Sequence, residues 1–122
     1  MEILLGMGGS PDSRLALRET VSSIATADDR LTVAILRDAH SDTTVDELET
    51  LIETTAAEAG MSVEIEVIDG DPGPALTDLA ESAGYDQVVI GGGKRSPMGK
   101  ISLGEITEFV VLNADTTVTL VR

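Results

Sequence analysis

The feature that most constrains the fold of this chain is a regular alternation of two kinds of apolar segment. Short apolar runs at residues 2–7, 31–36, 62–68, 88–90 and 116–121 predict strands. Four intervening stretches carry apolar residues at helical spacing and predict helices. The order β-α-β-α-β-α-β-α-β is typical of a parallel sheet covered on both faces. We therefore predict a single α/β domain over residues 1–122, a three-layer sandwich whose doubly wound five-stranded parallel sheet carries four helices.

Local signals mark several helix ends. Ser10 can cap a helix whose first position is Pro11, where the missing N–H does no harm. Thr44 and Glu47 have the spacing of a capping box. Gly60 is expected to end the helix that this box begins. The last helix is predicted over residues 105–113.

Two glycine-rich turns follow predicted strands. Gly8 and Gly9 end the first strand, and residues 91–93 end the fourth. Ligands of doubly wound sheets bind at the carboxyl ends of strands, where the strand order reverses. We therefore expect these two turns to flank one crevice.

The loop over residues 91–104 has the charge expected of an anion site. It holds Lys94, Arg95 and Lys100, three of the eight basic residues, and no acid, in a chain with 22 acidic residues. Glycines between a strand and a helix let backbone N–H groups converge on an anion at the helix N-terminus. Two alternatives remain open. The glycines could serve only to form a tight turn, and the cations could serve only to pair with acids on the surface.

Composition narrows the possible partners. The formal net charge of −14 and the presence of only two aromatic residues argue against nucleic-acid binding. There is no cysteine, which excludes disulfides and thiolate metal sites. No apolar run is long enough to span a membrane, and the acidic start does not fit a signal peptide, so we expect a cytoplasmic protein. The acidic, lysine-poor composition favours solubility in high salt.

The pattern of glycines and hydroxyls resembles that of the universal stress protein family. Gly91 and Gly104 stand at the spacing of the first and third glycines of the family motif, and Arg95 and Ser96 fall where the family often has a basic residue and a hydroxyl. Thr107 matches a later hydroxyl position, and residues 3–10 resemble the first strand and turn. The resemblance implies an adenine nucleotide alpha hydrolase-like fold. The residues proposed to bind a nucleotide or another anion are Gly8, Gly9, Gly91, Lys94, Arg95, Ser96, Gly104 and Thr107.

Three positions depart from the ATP-binding pattern of that family. Gly8 stands where ATP-binding members carry an aspartate that contacts the nucleoside. Lys94 replaces the second motif glycine, and Glu105 replaces the serine or threonine after the third. A carboxylate at a helix N-terminus itself satisfies the helix dipole and repels phosphate. Two hypotheses therefore remain. In the first, the chain binds ATP or another adenine nucleotide; in the second, it binds no ligand.

The features that match the family motif and those that depart from it lead to different functional hypotheses. The first is a stress-response module with an altered nucleotide- or anion-binding site at residues 91–104. The second is a ligand-independent interaction protein, a homodimer formed through residues 116–121, because the matching strand of the family pairs with its copy. An enzyme is the least supported hypothesis, since the pattern provides no catalytic residue, no Walker lysine and no metal site.

Overall fold

Strands and helices alternate along the chain in the predicted order. The computed structural model describes residues 1–8, 10–24, 28–37, 43–92, 94–95, 101–102 and 104–122. The strands are β1 (Glu2–Met7), β2 (Arg30–Leu36), β3 (Glu64–Ile68), β4 (Gln87–Gly91), β5 (Lys94–Arg95), β6 (Ile101–Ser102) and β7 (Thr117–Val121). The helices are α1 (Pro11–Ser23), α2 (Val45–Glu58), α3 (Pro72–Ser82) and α4 (Glu105–Asn113).

Five of the strands form one parallel sheet in the order β3-β2-β1-β4-β7. The chain moves outward from β1 through β2 to β3, then crosses back to β4 beside β1 and ends at the opposite edge. The strand order thus reverses between β1 and β4. The predicted doubly wound five-stranded sheet is confirmed.

The core lies in two layers, one on each face of the sheet. Alternate residues of β1 point to opposite faces, as in any strand. Leu5 and Met7 pack with α1 and α2, whereas Leu4 packs with α3 and α4. The most buried side chains of both layers are aliphatic, with Val33 and Leu76 fully enclosed. Burial of both faces explains why the central strands are almost continuously apolar.

Helix ends follow the capping chemistry in the sequence. The Ser10 side chain accepts a hydrogen bond from the Ser13 N–H at 3.2 Å, and the Thr44 side chain accepts one from the Glu47 N–H at 3.2 Å. Gly60 follows α2 with a φ of 70°, in the left-handed region that favours glycine. None of the helices among the described residues is long and apolar enough to cross a membrane.

A small second sheet was not predicted. β5 and β6 pair antiparallel within the loop that follows β4, with Lys94 opposite Ser102 and Arg95 opposite Ile101. Two-residue strands are too short to show a hydrophobic period, so the sequence predicted only a loop here. The hairpin lies between β4 and α4 in the chain.

Candidate functional site: the carboxyl edge of β1 and β4

The strand order reverses at the carboxyl edge where β1 and β4 lie side by side. Gly6 of β1 pairs with Ile90 of β4, so Gly8 and Gly92 lie at neighbouring strand ends. The helix that follows β1 packs on one face of the sheet, and the helix that follows β4 packs on the other. The described parts of both glycine turns therefore lie together, as the sequence predicts, and two helices begin beside them.

The turn from β1 into α1 is closed by its own hydroxyl groups. The Gly8 N–H donates to Ser13 Oγ at 3.1 Å, and the Ser10 hydroxyl donates to the same oxygen at 3.1 Å. Ser13 is buried. The Gly8 N–H therefore already has an acceptor within the protein. Sequence reasoning did not identify Ser13, because a single serine in a helical stretch gives no signal of its own. Gly9 lies outside the described residues.

Gly91 lies where β4 touches the start of α1. A Cβ placed on Gly91 would overlap the Asp12 carbonyl oxygen and would lie 3.1 Å from Ala16 Cβ. The absence of a side chain thus lets the strand end approach the helix backbone. This close approach explains the glycine at the first motif position without requiring a ligand.

Thr107 joins α4 to the same strand end. Its hydroxyl donates to the Gly91 carbonyl at 3.0 Å, and the side chain is buried. A Cβ on Gly92 would lie 2.7 Å from Thr107 Oγ1, and the Gly92 N–H donates to the Val121 carbonyl at 3.1 Å. Thr107 was predicted as a ligand-binding hydroxyl. In the structure its proton is directed to the protein backbone.

The start of α4 brings first-turn N–H groups to this edge. Gly104 is the N-cap and supplies no side-chain acceptor, and the first bond within the helix runs from the Glu108 N–H to the Gly104 carbonyl at 2.9 Å. The N–H groups of residues 105–107 therefore have no acceptor within the helix. Glu105 and Glu108 are exposed in the first turn. The dipole of α4 attracts an anion here, while these carboxylates oppose it.

The remaining predicted site residues belong to the hairpin loop. The backbones of Lys94 and Arg95 form β5, three and four residues after the end of β4. Ser96, Gly93 and Lys100 lie outside the described residues. At the same edge, Arg37 follows β2 and pairs with Asp69, which follows β3, at 3.0 Å, with both side chains largely exposed. Nothing in the sequence indicates this pair, because no regular spacing links the two residues.

Metal ligation has no support in the part of the chain that the structure describes. No group of three or more His, Asp or Glu side chains comes together there.

Comparison with known proteins identifies the fold and the family. The family model described as the universal stress protein family matches residues 1–122. No curated protein matches the sequence.

Solved structures agree with this assignment. A universal stress protein from Archaeoglobus fulgidus is 20% identical, with a TM-score of 0.76, over 100% of this chain and 98% of that chain. The universal stress protein from A. fulgidus in complex with dAMP is 15% identical, with a TM-score of 0.69, over 100% and 98%. A universal stress protein family protein from Arabidopsis thaliana with AMP bound is 14% identical, with a TM-score of 0.68, over 99% and 90%. At these identities the similarity shows the shared fold, and with the family match it means that the chain belongs to the universal stress protein family.

Proposed function

We propose that this chain is a cytoplasmic, non-enzymatic module that binds an adenine nucleotide at the carboxyl edge of β1 and β4. The observation that carries the proposal is the start of α4. Its first-turn N–H groups lack helical acceptors and lie beside the end of β4, where Thr107 holds the helix against Gly91. Similar folds have been solved with dAMP and with AMP.

The described residues fit a nucleotide in some respects and depart from the family pattern in others. The α4 N-terminus supplies donors and a favourable dipole for a phosphate group. Lys94 and Arg95 follow β4 closely in the chain and add positive charge to a loop without acids. The end of β1, in contrast, has Gly8 in place of a carboxylate, and its N–H is bound by Ser13. We therefore expect the phosphate end of the ligand to provide more of the affinity than the nucleoside end.

The test uses the weak ultraviolet absorbance of the protein. With no tryptophan and one tyrosine, the chain absorbs little near 260–280 nm, so a bound adenine would dominate the spectrum. The protein is purified in high salt and denatured, and any released molecule is identified by chromatography and mass. Stoichiometric adenine nucleotide, or saturable binding of added AMP, supports the proposal. An empty protein that binds neither AMP nor ATP refutes it.

The alternative function, a homodimer that acts through its surface, has one observation in its favour. β7 is an edge strand of the described sheet, and its sequence Thr117–Val121 contains no charged residue. The opposite edge, β3, carries Glu64 and Glu66. Near β7 in the chain, Leu112 on α4 is 72% exposed. Uncharged edges with open backbone groups favour pairing with another strand.

A pair of threonine substitutions tests the dimer. Thr117→Lys would place a charge on the edge strand, where a lysine disfavours pairing with another strand. Thr54→Lys makes the same exchange on the exposed surface of α2, away from the sheet edge. Sedimentation equilibrium should show a dimer for the wild type and Thr54→Lys and a shift toward monomer for Thr117→Lys. A monomeric wild type, or an unaffected Thr117→Lys dimer, contradicts this interface.

A further inference from the structure

Acidic side chains stand at the beginning of both helices that flank the proposed site. Asp12 lies in the first turn of α1, and Glu105 and Glu108 lie in the first turn of α4. The two glutamates are exposed, and Asp12 is partly buried. The net charge of the chain adds to the negative potential at this edge.

These two helix starts are both held close to Gly91. The backbone of Asp12 touches Gly91 from one face of the sheet, at a distance that excludes any side chain on the glycine. Thr107 approaches Gly91 and Gly92 from the other face, with its hydroxyl bound to the Gly91 carbonyl. Glu105 precedes Thr107 by two residues, so its position relative to β4 is set by the same contact. The backbones that carry these carboxylates are therefore held in place around the strand end.

We propose that Glu105, supported by Glu108 and Asp12, makes this site select nucleotides by charge, lowering its affinity for ADP and ATP relative to adenosine monophosphates. The inference rests on the proposed nucleotide binding and specifies which ligands that site accepts. The first-turn N–H groups of α4, which have no acceptor within the helix, can bind a phosphate group. Repulsion by a carboxylate grows in proportion to the charge of the ligand, whereas the number of these donors is the same for every ligand.

The size of the effect follows from Coulomb's law. A carboxylate about 7 Å from a ligand charge in a water-like dielectric changes affinity by about threefold per unit of ligand charge. ATP carries about two more negative charges than AMP, so the repulsion from one carboxylate amounts to about tenfold in the ratio of their affinities. Removing the Glu105 charge should therefore change that ratio measurably. High salt should reduce the difference, because exposed charges are screened.

The experiment compares AMP and ATP binding to the wild type, Glu105→Gln and Glu58→Gln by calorimetric titration. Metal ions are chelated, and salt is kept at the lowest concentration that maintains the fold. Glu58 is in the last turn of α2, and the C-terminal end of a crossover helix lies toward the opposite edge of a parallel sheet. Both substitutions remove one negative charge, so the second controls for net charge. Far-ultraviolet circular dichroism confirms that each variant is folded.

Glu105→Gln should raise the ratio of ATP affinity to AMP affinity by about tenfold, mainly through tighter ATP binding, and Glu58→Gln should leave that ratio unchanged. The comparison between variants isolates Glu105, because Lys94 and Arg95 are the same in all three proteins. Equal ratios in all three proteins, or a lower ratio in Glu105→Gln, overturns charge selection while the nucleotide site stands. Failure of every protein to bind either nucleotide refutes the proposed function, and charge selection with it.

Discussion

Replacing Gly91 by alanine should destabilise the fold, because the contact between β4 and α1 leaves no room for a methyl group. A Cβ at this position would overlap the Asp12 carbonyl oxygen and would lie 3.1 Å from Ala16 Cβ. The first of these obstacles is backbone, so rotation of a side chain cannot relieve it. Either β4 or the first turn of α1 must move.

The magnitude follows from comparison with substitutions that overpack a core. Such changes cost about 1–3 kcal/mol, and a backbone obstacle belongs at the upper end of that range. Gly8→Ala is the matched control on the neighbouring strand end, since its Cβ would lie 3.9 Å from Ser13 Oγ in ordinary contact. Glycine to alanine at a compatible position stabilises by about 0.4–1 kcal/mol through the unfolded state. The two variants should therefore differ by about 3 kcal/mol.

Urea denaturation followed by circular dichroism measures this difference, because the chain lacks tryptophan for fluorescence. With an m-value of about 2 kcal/mol per molar urea, the Gly91→Ala midpoint should lie about 1.5 M below that of Gly8→Ala. Equal midpoints would show that β4 and α1 are not in tight contact. Gly91 would then need another explanation, including direct contact with a ligand.

Three further predictions concern the same edge and the surface charge. Thr107→Val removes the donor to the Gly91 carbonyl and should lower the free energy of unfolding by about 1 kcal/mol in urea denaturation, whereas Thr107→Ser should lower it less. Gly104→Ser adds a side-chain cap to α4, where a Cβ would lie in open space. It should raise the free energy of unfolding by roughly a few tenths of a kcal/mol in the same assay, and a loss of stability would contradict the cap geometry. Potassium chloride should raise the thermal midpoint, because it screens the repulsion of a chain with net charge −14. The described ion pairs lie at the surface, so their screening should cost little. A midpoint that falls with salt would refute this.

The sequence predicted the sheet and helices because their signals are local and periodic. The apolar runs coincide with the strands, and Ser10 and Thr44 cap the helices that follow them. The alternation of strands and helices then allows few topologies. The edge that holds the proposed site could also be predicted, since glycines at the ends of β1 and β4 mark the reversal of strand order.

The internal chemistry of that edge could not be predicted, because it depends on contacts between distant residues. Gly91 has no room for a side chain because the Asp12 backbone lies against it, and Asp12 is 79 positions earlier in the chain. The Thr107 hydroxyl matches a motif position, and only the structure shows that it donates to the Gly91 carbonyl. Whether a motif residue binds a ligand or the protein itself depends on three-dimensional distances that no spacing in the sequence encodes.

Backbone amide NMR during a titration with AMP tests the central claim most directly, because it detects binding and locates it. We predict that the signals of Gly8, Gly92, Glu105 and Ile106 shift in a saturable manner. Signals from the amino edge of the sheet, such as those of Arg30 and Gln87, should stay in place. Unchanged spectra, or shifts confined to the amino edge, would contradict a nucleotide site at the carboxyl ends of β1 and β4.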